Sequence, residues 1–137
     1  MNTGNAAAAP LVADSFRERV AADGILANGQ RVVVAVSGGL DSTVLLHLVR
    51  FGLQDLRLQV RAAHLDHAMR PLSGSDADWI AGVCRAWDVP LVRDVARHPL
   101  KSEEDARSAR YAFLRRVHEE LEADWVLTAH HADDQAE

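Results

Sequence analysis

The sequence predicts a doubly wound α/β fold of the Rossmann-like kind, with a parallel sheet of order about 3-2-1-4 and helices on both faces. Three observations carry that expectation. Short β-branched runs alternate with helical patterns along the chain, the rhythm of βα units joined by right-handed crossovers. The first run, Arg31-Val-Val-Val-Ala-Val36, is apolar at every position after Arg31, as a strand buried on both faces must be. A Gly-rich turn then joins that run directly to a helical pattern.

Residues 1–13 read as a mobile tail and 14–137 as one domain. Asp14–Leu26 carries Phe16, Val20 and Ile25 in a modest helical pattern. After the first strand, Ser42–Phe51 reads as a helix stopped by Gly52. Leu58–His64 alternates and reads as a second strand. Ser75–Trp87 follows as a helix capped by Ser73 or Ser75, with Trp79, Ile80, Val83 and Trp87 expected on one side. Pro90–Arg93 is a third short strand. Ser102-Glu-Glu-Asp105 has the form of a capping box and opens a helix to about Leu121. Asp124–Thr128 is a fourth strand, and Asp133 onward reads as the first turn of another helix.

Composition narrows the class. The chain has 137 residues, 48% hydrophobic and 26% charged, which suits one packed domain and excludes a wholly disordered chain. No apolar run approaches the roughly 18 residues of a membrane span, and the start lacks the basic n-region of a signal peptide. With Cys84 as the single cysteine, an internal disulfide and a Cys-only metal cage are excluded. These features point to a cytoplasmic protein with no membrane partner. Net charge is −5, opposite in sign to the footprint expected of a nucleic-acid binder. Of 15 basic residues only Lys101 is lysine; arginine suits bidentate phosphate recognition, and a codon bias would give the same count.

In doubly wound sheets ligands bind beyond the carboxyl ends of the strands, where strand order reverses. The chemically distinctive residues all fall there. Ser37-Gly38-Gly39-Leu40-Asp41-Ser42 follows the first strand and opens a helix. Its glycines let backbone N–H groups approach a ligand, and the helix N-terminus favours an anion. Five fixed positions of this kind arise by chance about once per million start sites, so a plain turn capped by Asp41 is the weaker reading. No lysine of the GxxxxGK[ST] type is present, which argues against kinase-like chemistry. Asp41 beside a phosphate is repulsive unless a cation or a substrate ammonium lies between them.

The second strand ends in His64-Leu-Asp66-His67-Ala-Met-Arg70-Pro71, and the fourth in Ala129-His130-His131-Ala-Asp133-Asp134-Gln135-Ala-Glu137. On the helix after the third strand, Glu103, Arg107 and Arg110 lie within about 60° of the centre of the apolar stripe that should face the sheet. That places charge at the ligand edge; an i,i+4 Glu103–Arg107 surface pair is the plainer alternative.

S-G-G-x-D-S after a hydrophobic strand resembles the PP-loop of the N-type ATP pyrophosphatases, which cleave ATP between the α and β phosphates. With HLDHAMRP, the E-x-x-A-R-x-x-R-Y of Glu103–Tyr111 and T-A-H-H-A-D-D-Q-A-E, the sequence from about Val32 to Glu137 resembles the N-terminal domain of the tRNA(Ile)-lysidine synthetase family. The resemblance implies a carbon–nitrogen ligase that uses ATP and Mg²⁺ to adenylate C2 of the wobble cytidine in the CAU anticodon of tRNA(Ile). Free L-lysine then attacks that carbon. It further implies ATP binding by Ser37, Gly38, Gly39, Leu40, Asp41 and Ser42, with His64 shaping the nucleotide pocket and Arg107 offsetting phosphate charge. Asp41, Asp133 and Asp134 are the implied catalytic carboxylates. Asp41 with Asp133, Asp134 or Glu137 would hold Mg²⁺ or the lysine ammonium, undivided between them. Glu103, Arg110 and Arg70 are the implied contacts to lysine or tRNA, and a homodimer is among the assemblies it admits. Relatives of this kind continue past the last residue with tRNA-binding domains, so the resemblance implies a domain incomplete at its C-terminal end.

Three alternatives stand beside it: a nucleotide-binding piece without catalysis, another PP-loop tRNA-modifying enzyme, and a metal-dependent hydrolase using HLDH and HHADD. The hydrolase leaves the SGGLDS loop unexplained and lacks H-x-H-x-D-H spacing.

Overall fold

Val32, Val33 and Val34 are all buried, so the β-branched run is covered on both faces, and the rest of the fold is arranged around it. The computed structural model describes residues 26–66, 73–96 and 101–129. Within them the chain forms β1 (Arg31–Ala35), α1 (Leu40–Phe51), a 3-10 turn (Gln54–Leu56), β2 (Gln59–Asp66), α2 (Ser73–Ala86), β3 (Leu91–Val95), α3 (Glu103–Glu120) and β4 (Trp125–Leu127). The sheet is parallel throughout with order β3-β2-β1-β4, the order expected. The tail, the helix expected over Asp14–Leu26 apart from Leu26 itself, and the turn expected after Asp133 lie outside the described residues.

Alternation along the strands divides the core in two. Val32, Val34, Val36 and Ala62 pack with Leu46 and Val49 of α1 and Ile80 and Cys84 of α2. Val33, Ala63 and Leu65 face the other way, against Phe113, Leu114 and Val117 of α3. Helices α1 and α2 therefore cover one face and α3 the other, the consequence of the β3-to-β4 crossover passing back over β2 and β1. Helix α3 begins as expected: the Ser102 side chain accepts the Asp105 N–H at 3.1 Å, and the Asp105 carboxylate accepts the Lys101 N–H at 3.1 Å.

Several boundaries shift, each because a partner distant in sequence decides it. Strand β2 runs two residues past His64, since Leu65 and Asp66 pair with Asp94 and Val95 of β3. Helix α1 starts at Leu40 rather than Ser42, so Asp41 stands in its first turn and Gly39 is the N-cap, without a side-chain cap. The side expected for α2 needs correction at Trp79, which is 53% exposed. At 100° per residue, Ala77, Ile80 and Cys84 form the buried stripe, and Trp79 lies roughly 100° or more from its centre. Cys84 is buried in the first core, and burial pushes its thiol pKa up, which suits a packing residue and not a nucleophile.

Candidate functional site

Parallel strands deliver their carboxyl ends to one edge, and α1 and α3 both begin there. At this edge Ser37–Ser42 leaves β1 in a closed hydrogen-bonded loop. The Ser37 N–H donates to Ser42 Oγ at 3.0 Å, and Ser42 Oγ donates to the Gly39 carbonyl at 3.2 Å. Gly39 N–H donates to Ser37 Oγ at 3.3 Å, and the two hydroxyls are 3.2 Å apart. With the Ser42 proton on Gly39, Ser37 is left to donate to Ser42, so both hydroxyls are satisfied within the loop. Thr43 Oγ1 adds a second bond to the Gly39 carbonyl at 3.0 Å. Gly38 adopts φ +97°, a conformation disfavoured for any residue with a Cβ. The backbone N–H groups of the first helical turn have no intrahelical acceptor and, with the helix dipole, make the mouth of this loop electropositive. Asp41 is exposed beside it.

Next to the loop is a cavity of about 90 Å³ lined by Ser37 and Ser42, by Ala63 and Leu65 of β2, by Arg110, Phe113 and Leu114 of α3, and by Thr128 and Ala129 beyond β4. Its floor is apolar. Its polar wall is the two serines and the Arg110 guanidinium, whose Nε is buried without a hydrogen-bond partner. An unpaired buried guanidinium N–H is costly, so this position favours a hydrogen-bond acceptor, best an anionic one. Tyr111 stiffens the same corner: its ring centre lies 5.2 Å from Cζ of Arg110 and 5.6 Å from Cζ of Arg107. Chemically, an electropositive loop mouth, a half-buried guanidinium and an apolar floor suit a ligand with a phosphate and a flat apolar body.

The expected residues are distributed as follows. Ser37, Ser42 and Arg110 meet at the cavity, while Gly38, Gly39, Leu40 and Asp41 form the loop beside it. The loops after β1 and β4 face one another across the cavity as far as Ala129. Arg107 and Glu103 sit on the exposed side of the first two turns of α3, outside the cavity lining. His64 is 5% exposed and stands on the α1/α2 face of the sheet, with Nδ1 2.7 Å from the Val36 carbonyl. Arg70, Asp133, Asp134 and Glu137 lie outside the described residues, as do His67, His130 and His131. Among the described residues no group of three His, Cys, Asp or Glu is placed to hold a metal ion, and no helix is long and apolar enough to cross a membrane. The sequence placed Phe113 only in the sheet-facing stripe of its helix, and Thr128 and Ala129 only at the end of the fourth strand, without assigning them to a ligand. The signal for Thr128 and Ala129 was their position after a strand neighbouring the loop strand.

Comparison with known proteins agrees with this fold. The family model described as the PP-loop domain matches residues 11–137. A tRNA(Ile)-lysidine synthase of Gloeobacter violaceus is 40% identical over 124 residues, covering 90% of this chain and 38% of that protein. The tRNA(Ile)-lysidine synthase of Thermotoga maritima is 37% identical over 117 residues, 80% of this chain and 28% of its own length. The chain thus spans about a quarter to two fifths of the curated relatives it matches. Among solved structures, the U34-tRNA thiolase NcsA of Methanococcus maripaludis, determined with its 4Fe-4S cluster, superposes with TM-score 0.72 at 18% identity, covering 82% of this chain and 42% of that one. At that identity the likeness speaks for the fold.

Proposed function

The chain belongs to the PP-loop domain family, and from that premise we propose that it is the nucleotide-activating domain of a tRNA(Ile)-lysidine synthase. The reaction is adenylation of the C2 oxygen of the wobble cytidine in the CAU anticodon, with loss of pyrophosphate. The ε-amine of L-lysine then attacks C2 and expels AMP, leaving lysidine. The observation that carries the reading is the cavity in which the PP-loop serines and Arg110, its buried Nε without a hydrogen-bond partner, meet over an apolar floor.

In this reading the apolar floor receives the adenosine and the loop mouth receives the phosphates. Backbone N–H groups at the start of α1 stabilise the charge that grows on the departing pyrophosphate, a contribution that exceeds ground-state binding only if the groups are held in advance. The closed serine network supplies that preorganisation. Arg110 neutralises one phosphate from the α3 side, and Arg107, exposed beside Tyr111 one turn earlier on α3, meets charge outside the cavity. Mg²⁺, when bound, would offset charge on the leaving phosphates, and Asp41 fits it as one carboxylate supplementing phosphate oxygens and water. Asp133, Asp134, Glu137, Glu103 and Arg70 remain the candidates for lysine and tRNA, and the cytoplasm is the site of action. Sulfur transfer of the thiolase kind gains no support, because Cys84 is the single cysteine of these 137 residues and is buried.

Exchange of labelled pyrophosphate into ATP in the presence of a tRNA(Ile) CAU transcript tests the reading. We expect exchange that needs the transcript, and loss of it in Asp41→Ala. We expect ATP to bind the chain alone, and tRNA to bind it poorly given the net charge of −5. Retention of tRNA on nitrocellulose at sub-micromolar protein contradicts the last point. Absence of ATP binding at millimolar nucleotide contradicts the whole.

A further inference from the structure

The peptide unit between Val36 and Ser37 is held at both ends. Its carbonyl lies 2.7 Å from Nδ1 of His64, and its N–H donates to Ser42 Oγ at 3.0 Å. Carbonyl and N–H of a trans peptide belong to one rigid plane and point in opposite directions. Pinning both therefore sets the direction in which the chain leaves β1 and enters the loop. The residue before this plane is also pinned: Val36 N–H donates to the Ala63 carbonyl at 2.8 Å, the last β1–β2 rung before the turn. Gly38, at φ +97°, follows immediately, so the loop has one defined starting plane and one unusual torsion.

Because the Val36 carbonyl can only accept, Nδ1 of His64 must carry a proton. The other ring nitrogen, Nε2, is buried and without a partner. His64 does not line the cavity, and its imidazole stands on the opposite face of the sheet from Arg110 and Phe113. We infer that His64 is a positioning residue for the phosphate-binding loop: its Nδ1–H holds the Val36–Ser37 peptide plane, and it acts on the nucleotide only through that plane. The inference rests on the proposed nucleotide reading for its consequence, though not for its geometry.

Two amide side chains separate the two ring nitrogens. Asparagine carries its N–H₂ near the place of histidine Nδ1, and glutamine near the place of Nε2. In the ligand-free 137-residue protein, amide exchange at Ser37 reports the plane directly. His64→Leu should speed Ser37 exchange about tenfold, the loss expected when a buried carbonyl gives up its donor. His64→Asn should stay within about twofold of the parent, and His64→Gln should resemble the leucine variant. ATP titration by calorimetry should follow the same ranking, with about tenfold weaker binding in His64→Leu and near-parental binding in His64→Asn. Thermal unfolding of each variant separates loop effects from general destabilisation. Rescue by glutamine and not asparagine overturns the inference, since Nε2 would then be the working atom. Unchanged Ser37 exchange in His64→Leu overturns it as well, whatever ATP does. If the parent protein shows the exchange pattern but binds no ATP, the nucleotide reading fails while the positioning stands.

Discussion

Gly38→Ala isolates backbone strain from crowding. A Cβ built on Gly38 would stand 3.6 Å from Asp76 Cβ and 3.6 Å from Ile80 Cδ1, ordinary van der Waals distances, so space is available. The conformation is not: φ is +97°, and a non-glycine residue held there costs about 1–3 kcal/mol. Alanine also narrows the unfolded ensemble, which returns about 0.4–1 kcal/mol. The net loss is about 1 kcal/mol, a fall of about 0.5 M in urea midpoint for a domain of this size. Gly39→Ala is the control. It has φ −81°, and its Cβ would meet Ser37 Oγ at 3.5 Å, so only the poorer N-cap opposes the entropic gain and the two nearly cancel. Urea unfolding followed by tryptophan fluorescence compares the pair, and Gly38→Ala should also weaken ATP binding by displacing the loop. Equal midpoints for the two variants would refute the strain argument.

Three further outcomes are expected. Arg110→Gln should weaken ATP by about 10–100-fold, the scale of a hydrogen bond to a charged group, and leave adenosine unaffected; equal loss for both ligands would move Arg110 from the phosphates to the nucleoside. Ser102→Ala removes the side-chain acceptor of the Asp105 N–H and should cost about 1 kcal/mol, a Tm lower by about 3–5 °C in calorimetry; an unchanged Tm would mean that solvent caps α3 equally well. Cys84 should resist iodoacetamide in the native state and react in urea. Since burial raises its thiol pKa, the native state keeps its proton where the unfolded chain has lost it, so stability should fall as pH rises past about 8.5, and a Cys84→Ala variant should lose that slope.

Much of the fold was legible because its signals are local. The run Val32–Val34 is apolar without alternation, which only a doubly covered strand tolerates, and the Ser102 cap acts within one turn. Boundaries were less legible for a physical reason: the extension of β2 to Asp66 comes from β3, some thirty residues on. Trp79 was misjudged because a spacing of three or four residues admits neighbouring stripes, and only packing against β2 and β3 selects the one through Ala77, Ile80 and Cys84. In the site, the loop and the inward bias of Arg110 were readable, whereas the division between Arg110 in the cavity wall and Arg107 outside it was not. Their positions on the helix differ by 300°, or 60° the short way, and whether that suffices to reach a cavity depends on how α3 lies across the sheet.

The local sequence was enough to set the order of elements, the doubly covered strand at Val32–Val34 and the glycine-rich turn of Ser37–Ser42 into a helix, since each depends on residues within a few positions of one another. Tertiary structure alone decided which groups work on that loop. Arg110 reaches it from the opposite face of the sheet and His64 from the neighbouring strand, and Thr128 and Ala129 close it from β4. Such contacts arise from the strand order and from the layer each helix covers, both of which are set by burial of the whole sheet and by no single stretch of chain.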